Sequence, residues 1–167
     1  KVEVMYGGIK TAVKSIVRNS GGEKASFALA GDAVELTLAH EDPSCFEIGS
    51  VVCSPSAVIR VSDKFEVKIA TLELALPFTL GQSVVVHCHA ATAQAKIGKL
   101  VCLHDPKTGE KLKKKPRLLK SYQTATVQLH LAKSICVDTY GDCPSLGRLV
   151  LRVGGATVAV GKVTKIY

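Results

Sequence analysis

The chain has 167 residues, 47% of them hydrophobic and 22% charged, with a formal net charge of +8. That composition excludes a disordered tail, and the length allows one core or two small ones that bury roughly 70% of the unfolded surface. No apolar stretch approaches the ~20 residues of a spanning helix and the basic N-terminus lacks a signal-peptide pattern, so a cytoplasmic protein or a fragment of one, without membrane contact, is expected.

In chain order, the first local signals are Gly7-Gly8 and Gly21-Gly22. Neither fits the G-x-x-x-x-G-K-[ST] pattern that cradles phosphates, so both read as turns and no GTP or ATP binding is expected of this chain itself. "AVELTL" then alternates, with Val34, Leu36 and Leu38 on one side, as a half-buried strand does. "DPSCFEIG" is the one place where a single helical turn is expected. Pro55 and two serines in "CSPSAVIRVSDK" separate a strand ending near Cys53 from one opening at Phe65, which places a domain boundary at 61/62. "FEVKIA" turns Phe65, Val67 and Ile69 inward and Glu66 and Lys68 outward. In "VVVHCHA" the same rhythm makes Val84, Val86 and Cys88 core and sends His87 and His89 outward.

The run "TGEKLKKKPRLLKS", Thr108 to Ser121, reads as an exposed hairpin loop. From Asp105 to Lys120 there are seven cations against two carboxylates, a local charge of +5 out of the total +8. Lys111, Lys113, Lys114, Lys115, Arg117 and Lys120 are therefore candidate contacts for ribosomal or other RNA phosphates, which need charge but no particular sequence. Solvation and protection of a sheet edge explain such a run more simply. "TATVQLHL" follows with strict alternation, Ala125, Val127, Leu129 and Leu131 on one face.

The sharpest signal is "LGRLVLRVGGATVAVGKVTKI" at 146–166. Gly154-Gly155 between two β-rich runs suits a tight primed hairpin turn. Continued without interruption, that register pairs Val153 with Ala156, Leu151 with Val158 and Leu149 with Val160 on the buried face. The outer face then carries Arg148, Val150 and Arg152 opposite Gly161, Ala159 and Thr157. Two guanidinium groups above a low surface fit protein docking, where Arg is enriched.

Catalytic and metal chemistry find no matching spacing. None of the six cysteines is paired as C-x-x-C, so they read as reduced, mostly buried thiols. In a strand His87 and His89 share a face about 6.5 to 7 Å apart, but no third ligand is spaced to join them. No Ser, Cys or His sits in a nucleophile elbow. No catalytic residue, cofactor or metal site is expected here.

Several segments together resemble a known superfamily: "VKSIV" from Val13, "AGDAVELTL" from Ala30, "GSVVCSP" from Gly49, "F-x-V-x-I" from Phe65, "VHCHAA" from Val86, "TGEK…PRLLKS" and "LGRLVLR…TVAVGKV". They are similar to the second and third domains of translational GTPases of the elongation factor one-alpha kind. "LHDPKTGEKLKKKPRLL", "P-F-T-L-G" at Pro77 to Gly81 and "LRVGGATVAVGKVTKI" look most like the HBS-like branch that partners Pelota in ribosome rescue. Eukaryotic release factor three is next and elongation factor one-alpha third.

The resemblance implies an all-β fold of two antiparallel Greek-key β-barrels in tandem, the first truncated at its N-terminus. It assigns 1–61 to an incomplete second domain and 62–167 to the third. The GTPase domain, with its GTP and Mg, is expected outside this chain, so the fragment is non-catalytic and the full-length protein a GTPase. The implied partners are a Pelota-type or release factor one-type protein and the ribosome. The implied docking motif is Gly147, Arg148, Leu149, Val150, Leu151 and Arg152, and the hairpin register adds Thr157 and Ala159 opposite it as candidate partner contacts. A basic RNA-binding β-barrel is the alternative from another class.

Overall fold

The computed structural model describes residues 1–5, 7–18, 22, 24–39, 42 and 46–167. Every regular element among them is a strand, and the chain divides into two compact units, Lys1–Ile59 and Arg60–Tyr167. No helix among the described residues is long and apolar enough to cross a membrane. Pro43, Ser44 and Cys45 of "DPSCFEIG", where a helical turn is expected, and Gly21 lie outside the described residues; within the rest, Ser50 N–H donates to Glu47 O at 2.9 Å in a turn.

The first unit contains β1 (Val2–Met5), β2 (Ile9–Thr11), β3 (Val13–Arg18), β4 (Lys24–Ala25), β5 (Val34–Leu38) and β6 (Val51–Cys53). They form two antiparallel three-stranded sheets, ordered β2-β1-β6 and β4-β3-β5. Gly7-Gly8 makes the β1–β2 turn, with Gly8 at φ 61°. Only Ala12 separates β2 from β3, and its carbonyl accepts a hydrogen bond from Ala39 N–H at 2.9 Å, so the chain switches sheets with its backbone paired.

The second unit contains β7 (Val61–Thr71), β8 (Phe78–Thr79), β9 (Ser83–Cys88), β10 (Ala91–His104), β11 (Lys111–Lys114), β12 (Leu118–Leu119), β13 (Thr124–Cys136), β14 (Arg148–Val153) and β15 (Ala156–Ile166). Six of these close into an antiparallel barrel, ordered β10-β13-β7-β15-β14-β9 and back to β10. Strands β9, β10 and β13 neighbour one another in succession and β7 lies beside β13, a Greek-key arrangement. Closure removes sheet edges. Strand β11 hangs outside the ring on β10, and β8 with β12 forms a separate short ladder.

The two-residue rhythm sets the interior. Phe65, Val67 and Ile69 from β7, Val86 and Cys88 from β9, and Ala125, Val127 and Leu129 from β13 are fully inaccessible. Each large apolar side chain so buried contributes roughly 1.5–3 kcal/mol. Cys53, Cys88, Cys102 and Cys136 are buried free thiols and Cys143 is half-buried, while Cys45 lies outside the described residues. Burial, and then the neighbouring Cys136, pushes the Cys88 thiol up to about 11, so it stays protonated and packs as a small apolar group.

Three readings change. His89 is not in a strand: Cys88 pairs with Ala91, so His89 and Ala90 form a two-residue hairpin turn with His89 at φ 46°. His is among the few non-glycine residues enriched in that region. The lysine run is not wholly a loop. Lys111, Lys113 and Lys114 belong to β11, with Lys114 opposite Cys102 and Lys113 opposite Leu103. The actual turn precedes them, where Asp105 Oδ1 accepts hydrogen bonds from the N–H groups of Lys107 at 2.7 Å and Thr108 at 3.2 Å.

The third correction concerns the C-terminal hairpin. Gly154 and Gly155 take φ 56° and 84°, as a primed turn requires, and Val153 pairs with Ala156 and Arg152 with Thr157. A β-bulge then intervenes, so Leu151 opposes Ala159, Val150 opposes Val160 and Leu149 opposes Gly161. Val158 and Ala159 are both buried, and Val160 is turned outward.

Candidate protein-docking surface

The bulge decides which side chains share the outer face. Uninterrupted alternation would set Arg148 and Val150 above Gly161 and Ala159; instead Arg148 stands opposite Lys162 and Val150 opposite Val160. Val160 in turn pairs with Ala70 of β7, and Lys162 with Lys68. On the other side Val150 pairs with His87 of β9. Two parallel lanes therefore cross the strands, His87-Val150-Val160-Ala70 and Arg148-Lys162-Lys68. Neighbouring strands are ~4.8 Å apart, so each lane is a continuous contact row.

The lanes floor a groove of about 1010 Å³ that also takes in Tyr140 and His89. Val160 is 43% exposed and gives the groove an apolar centre beside its cations.

Of the eight residues the sequence put forward, Arg148, Val150, Arg152 and Thr157 reach the outer surface. Gly147, Leu149, Leu151 and Ala159 are buried, Leu151 and Ala159 completely, and contribute by packing rather than contact. The two arginines share a face but not a site. Four residues along a strand separate them by roughly 13 Å. Arg148 lines the groove, whereas Arg152 donates from Nη2 to the Gly155 carbonyl and borders a separate depression of about 520 Å³ with Lys96 and His130.

Sequence reasoning missed Tyr140 and Lys162. Tyr140 sits in the connection between β13 and β14, anchored by its N–H to Val163 O at 2.9 Å. That connection closes against Gly147, where an added Cβ would stand 2.4 Å from Tyr140 Cα and 2.5 Å from its N. Only a glycine permits this approach. The Tyr140 hydroxyl accepts a hydrogen bond from Arg148 Nη2 at 3.1 Å. Its ring lies 5.3 Å from the Arg148 guanidinium carbon and 4.0 Å from Lys162 Nζ, within cation–π range. The Arg148 hydrogen bond first, and the charges of Arg148 and Lys162 next, hold the phenol below its ordinary value of 10. Neither a motif nor a period marks Tyr140; the nearest sequence signal was the glycine at 147.

Lys111, Lys113, Lys114, Lys115, Arg117 and Lys120 are all exposed, the first three on β11, which hangs on β10, three strands around the ring from β15. They take no part in the groove. Among the described residues no group of three or more His, Cys, Asp or Glu is placed to hold a metal ion.

Comparison with known proteins bears on the whole chain. Residues 64–164 match the family described as GTP-eEF1A C-terminal domain-like. Protein HBS1 of Drosophila melanogaster is 36% identical over 154 residues, covering 92% of this chain and 23% of that protein. The eukaryotic peptide chain release factor GTP-binding subunit of Candida maltosa is 33% identical over 158 residues, covering 94% of this chain and 22% of its own length. The chain spans less than a quarter of either curated relative. The crystal structure of sup35 complexed with GDP superposes with a TM-score of 0.90 at 33% identity, over 99% of this chain and 40% of that one.

Proposed function

The chain belongs to the GTP-eEF1A C-terminal domain-like family, and from that premise we propose that it is the partner-docking, non-catalytic region of an HBS-type translational GTPase that acts in ribosome rescue with a Pelota-type protein. The observation that carries this reading is the pair of lanes on the barrel exterior. An apolar row beside an uncompensated cationic row is the composition of a protein interface core with a charged flank. One residue of each lane, Arg148 and Val150, also falls in the "GRLVLR" segment, where the family resemblance puts the docking motif. GTP and Mg belong to a nucleotide-binding domain elsewhere in the full-length protein, and this region's part is to hold the decoding partner.

A termination role, with a release factor one-type partner, is the second reading, favoured by the similarity to release-factor GTP-binding subunits. Titrating this chain against a purified Pelota-type protein and a purified release factor one-type protein separates the two. The proposal expects tighter binding to the Pelota type. Preference for the release factor overturns the ranking, and binding to neither overturns docking itself.

A further inference from the structure

We propose that Tyr140 is the positioning residue of this face, its phenol holding the Arg148 guanidinium and the Lys162 ammonium side by side as a seat for a partner carboxylate. The inference rests on the docking reading above. Arg and Lys carry large rotamer freedom, and a surface that presents them already ordered binds more tightly for the same contacts. Tyr140 supplies that order through one hydroxyl acceptor for Arg148 at 3.1 Å and a ring within cation–π range of both cations. Its own position is fixed from behind by the Val163 carbonyl and the close approach of Gly147.

The surrounding charges leave the seat positive. Lys68 of β7 lies next in the lane, and His87 of β9 and His89 of the following turn line the same groove. The carboxylates of the connection are engaged within it. Asp138 Oδ1 accepts from Thr139 N–H at 2.8 Å, and Asp142 Oδ2 accepts from the Thr139 hydroxyl at 2.7 Å. Among the described residues neither Arg148 nor Lys162 forms a salt bridge.

A pH dependence follows, and its sign is fixed. While Tyr140 is a neutral phenol, the two cations are available to a carboxylate. As pH rises through its lowered titration point, a phenolate forms between them and competes with the incoming acid, so affinity falls. By reciprocity, a bound carboxylate drives the Tyr140 titration upward.

The test measures affinity for the Pelota-type partner between pH 7 and pH 10 with the parent, Tyr140→Phe, Tyr140→Ala and a control, Tyr167→Phe. Tyr167 is the other C-terminal tyrosine; its hydroxyl donates to Glu66, which raises its titration. The parent and the control are expected to lose about fivefold more affinity on the alkaline side than Tyr140→Phe does. At pH 7 the retained ring should keep Tyr140→Phe within about threefold of the parent, and Tyr140→Ala should be about tenfold weaker. An alkaline loss in Tyr140→Phe equal to the parent's would overturn the proposal.

A second measurement needs no partner: the ultraviolet titration of phenol absorbance, parent minus Tyr140→Phe. It should show one tyrosine titrating below 10 that moves upward in Arg148→Met. An ordinary, unmoved titration overturns the inference. If the parent binds no partner, the docking reading falls, and this titration alone decides whether Tyr140 is coupled to the two cations.

Discussion

Replacing Arg148 and Lys162 together by Glu is expected to weaken partner binding at least ~30-fold, the loss that corresponds to a hot spot of about 2 kcal/mol. Both side chains are exposed, stand opposite each other across the β14–β15 ladder and line one groove. Reversing them removes the attraction for a carboxylate and sets like charges against it, and repulsion across an interface is strongly unfavourable. The effect should also shrink as salt rises, because the flank of the groove is open to solvent. Arg152→Glu is the internal control. Arg152 borders a different depression, so its reversal should change affinity by less than about threefold. Isothermal titration of the double variant reads the outcome, with far-ultraviolet circular dichroism as the check on folding. Affinity within about threefold of the parent would remove the cationic lane from the interface.

Gly147→Ala is expected to be the most damaging single-methyl change in the second unit, lowering its stability by about 3 kcal/mol. The new Cβ would meet backbone rather than a movable side-chain tip: Tyr140 Cα at 2.4 Å, Tyr140 N at 2.5 Å and Thr139 C at 2.8 Å. The connection must move away, which strains packing by roughly 1–3 kcal/mol. It also loosens the Tyr140 N–H to Val163 O and Val163 N–H to Gly147 O bonds, at 2.9 and 2.8 Å, each worth about 1 kcal/mol. The thermal midpoint should fall by about 10 °C or more. Gly98→Ala is the contrast. The three atoms nearest its Cβ all belong to the His130 ring, the closest at 2.7 Å, an exposed side chain able to swing aside. Equal melting of Gly147→Ala and the parent would mean that the connection is not held as described.

What the sequence made legible follows from what repeats. Strands β7, β9 and β13 alternate because one face of each lines the barrel interior, and Phe65, Val86 and Leu129 could be assigned inside from spacing alone. The Gly154-Gly155 turn was legible because positive φ at two adjacent positions favours glycine strongly. The register beyond it was not. In "ATVAVG" both Val158 and Ala159 are small and apolar enough to point inward, so nothing in the letters marks the extra residue of the bulge.

That single residue moved Ala159 inside and brought Val160 and Lys162 onto the docking face. Strand β11 was hidden for the opposite reason: all four of its residues, Lys111 to Lys114, are exposed, so no alternation records the pairing with β10. Tyr140 was hidden because its role depends on contacts with Arg148 and Lys162, which the fold creates.

The most direct measurement of the central claim is acetylation footprinting of the lysines with and without the Pelota-type partner, read residue by residue by mass spectrometry. Lys162 lies in the cationic lane on β15, and Lys111 and Lys113 lie on β11, which pairs with β10, three strands around the ring from β15. Docking through the β14–β15 face predicts that the partner shields Lys162 and leaves Lys111 and Lys113 as reactive as in the free chain. Shielding of Lys111 and Lys113 with Lys162 unchanged would contradict it.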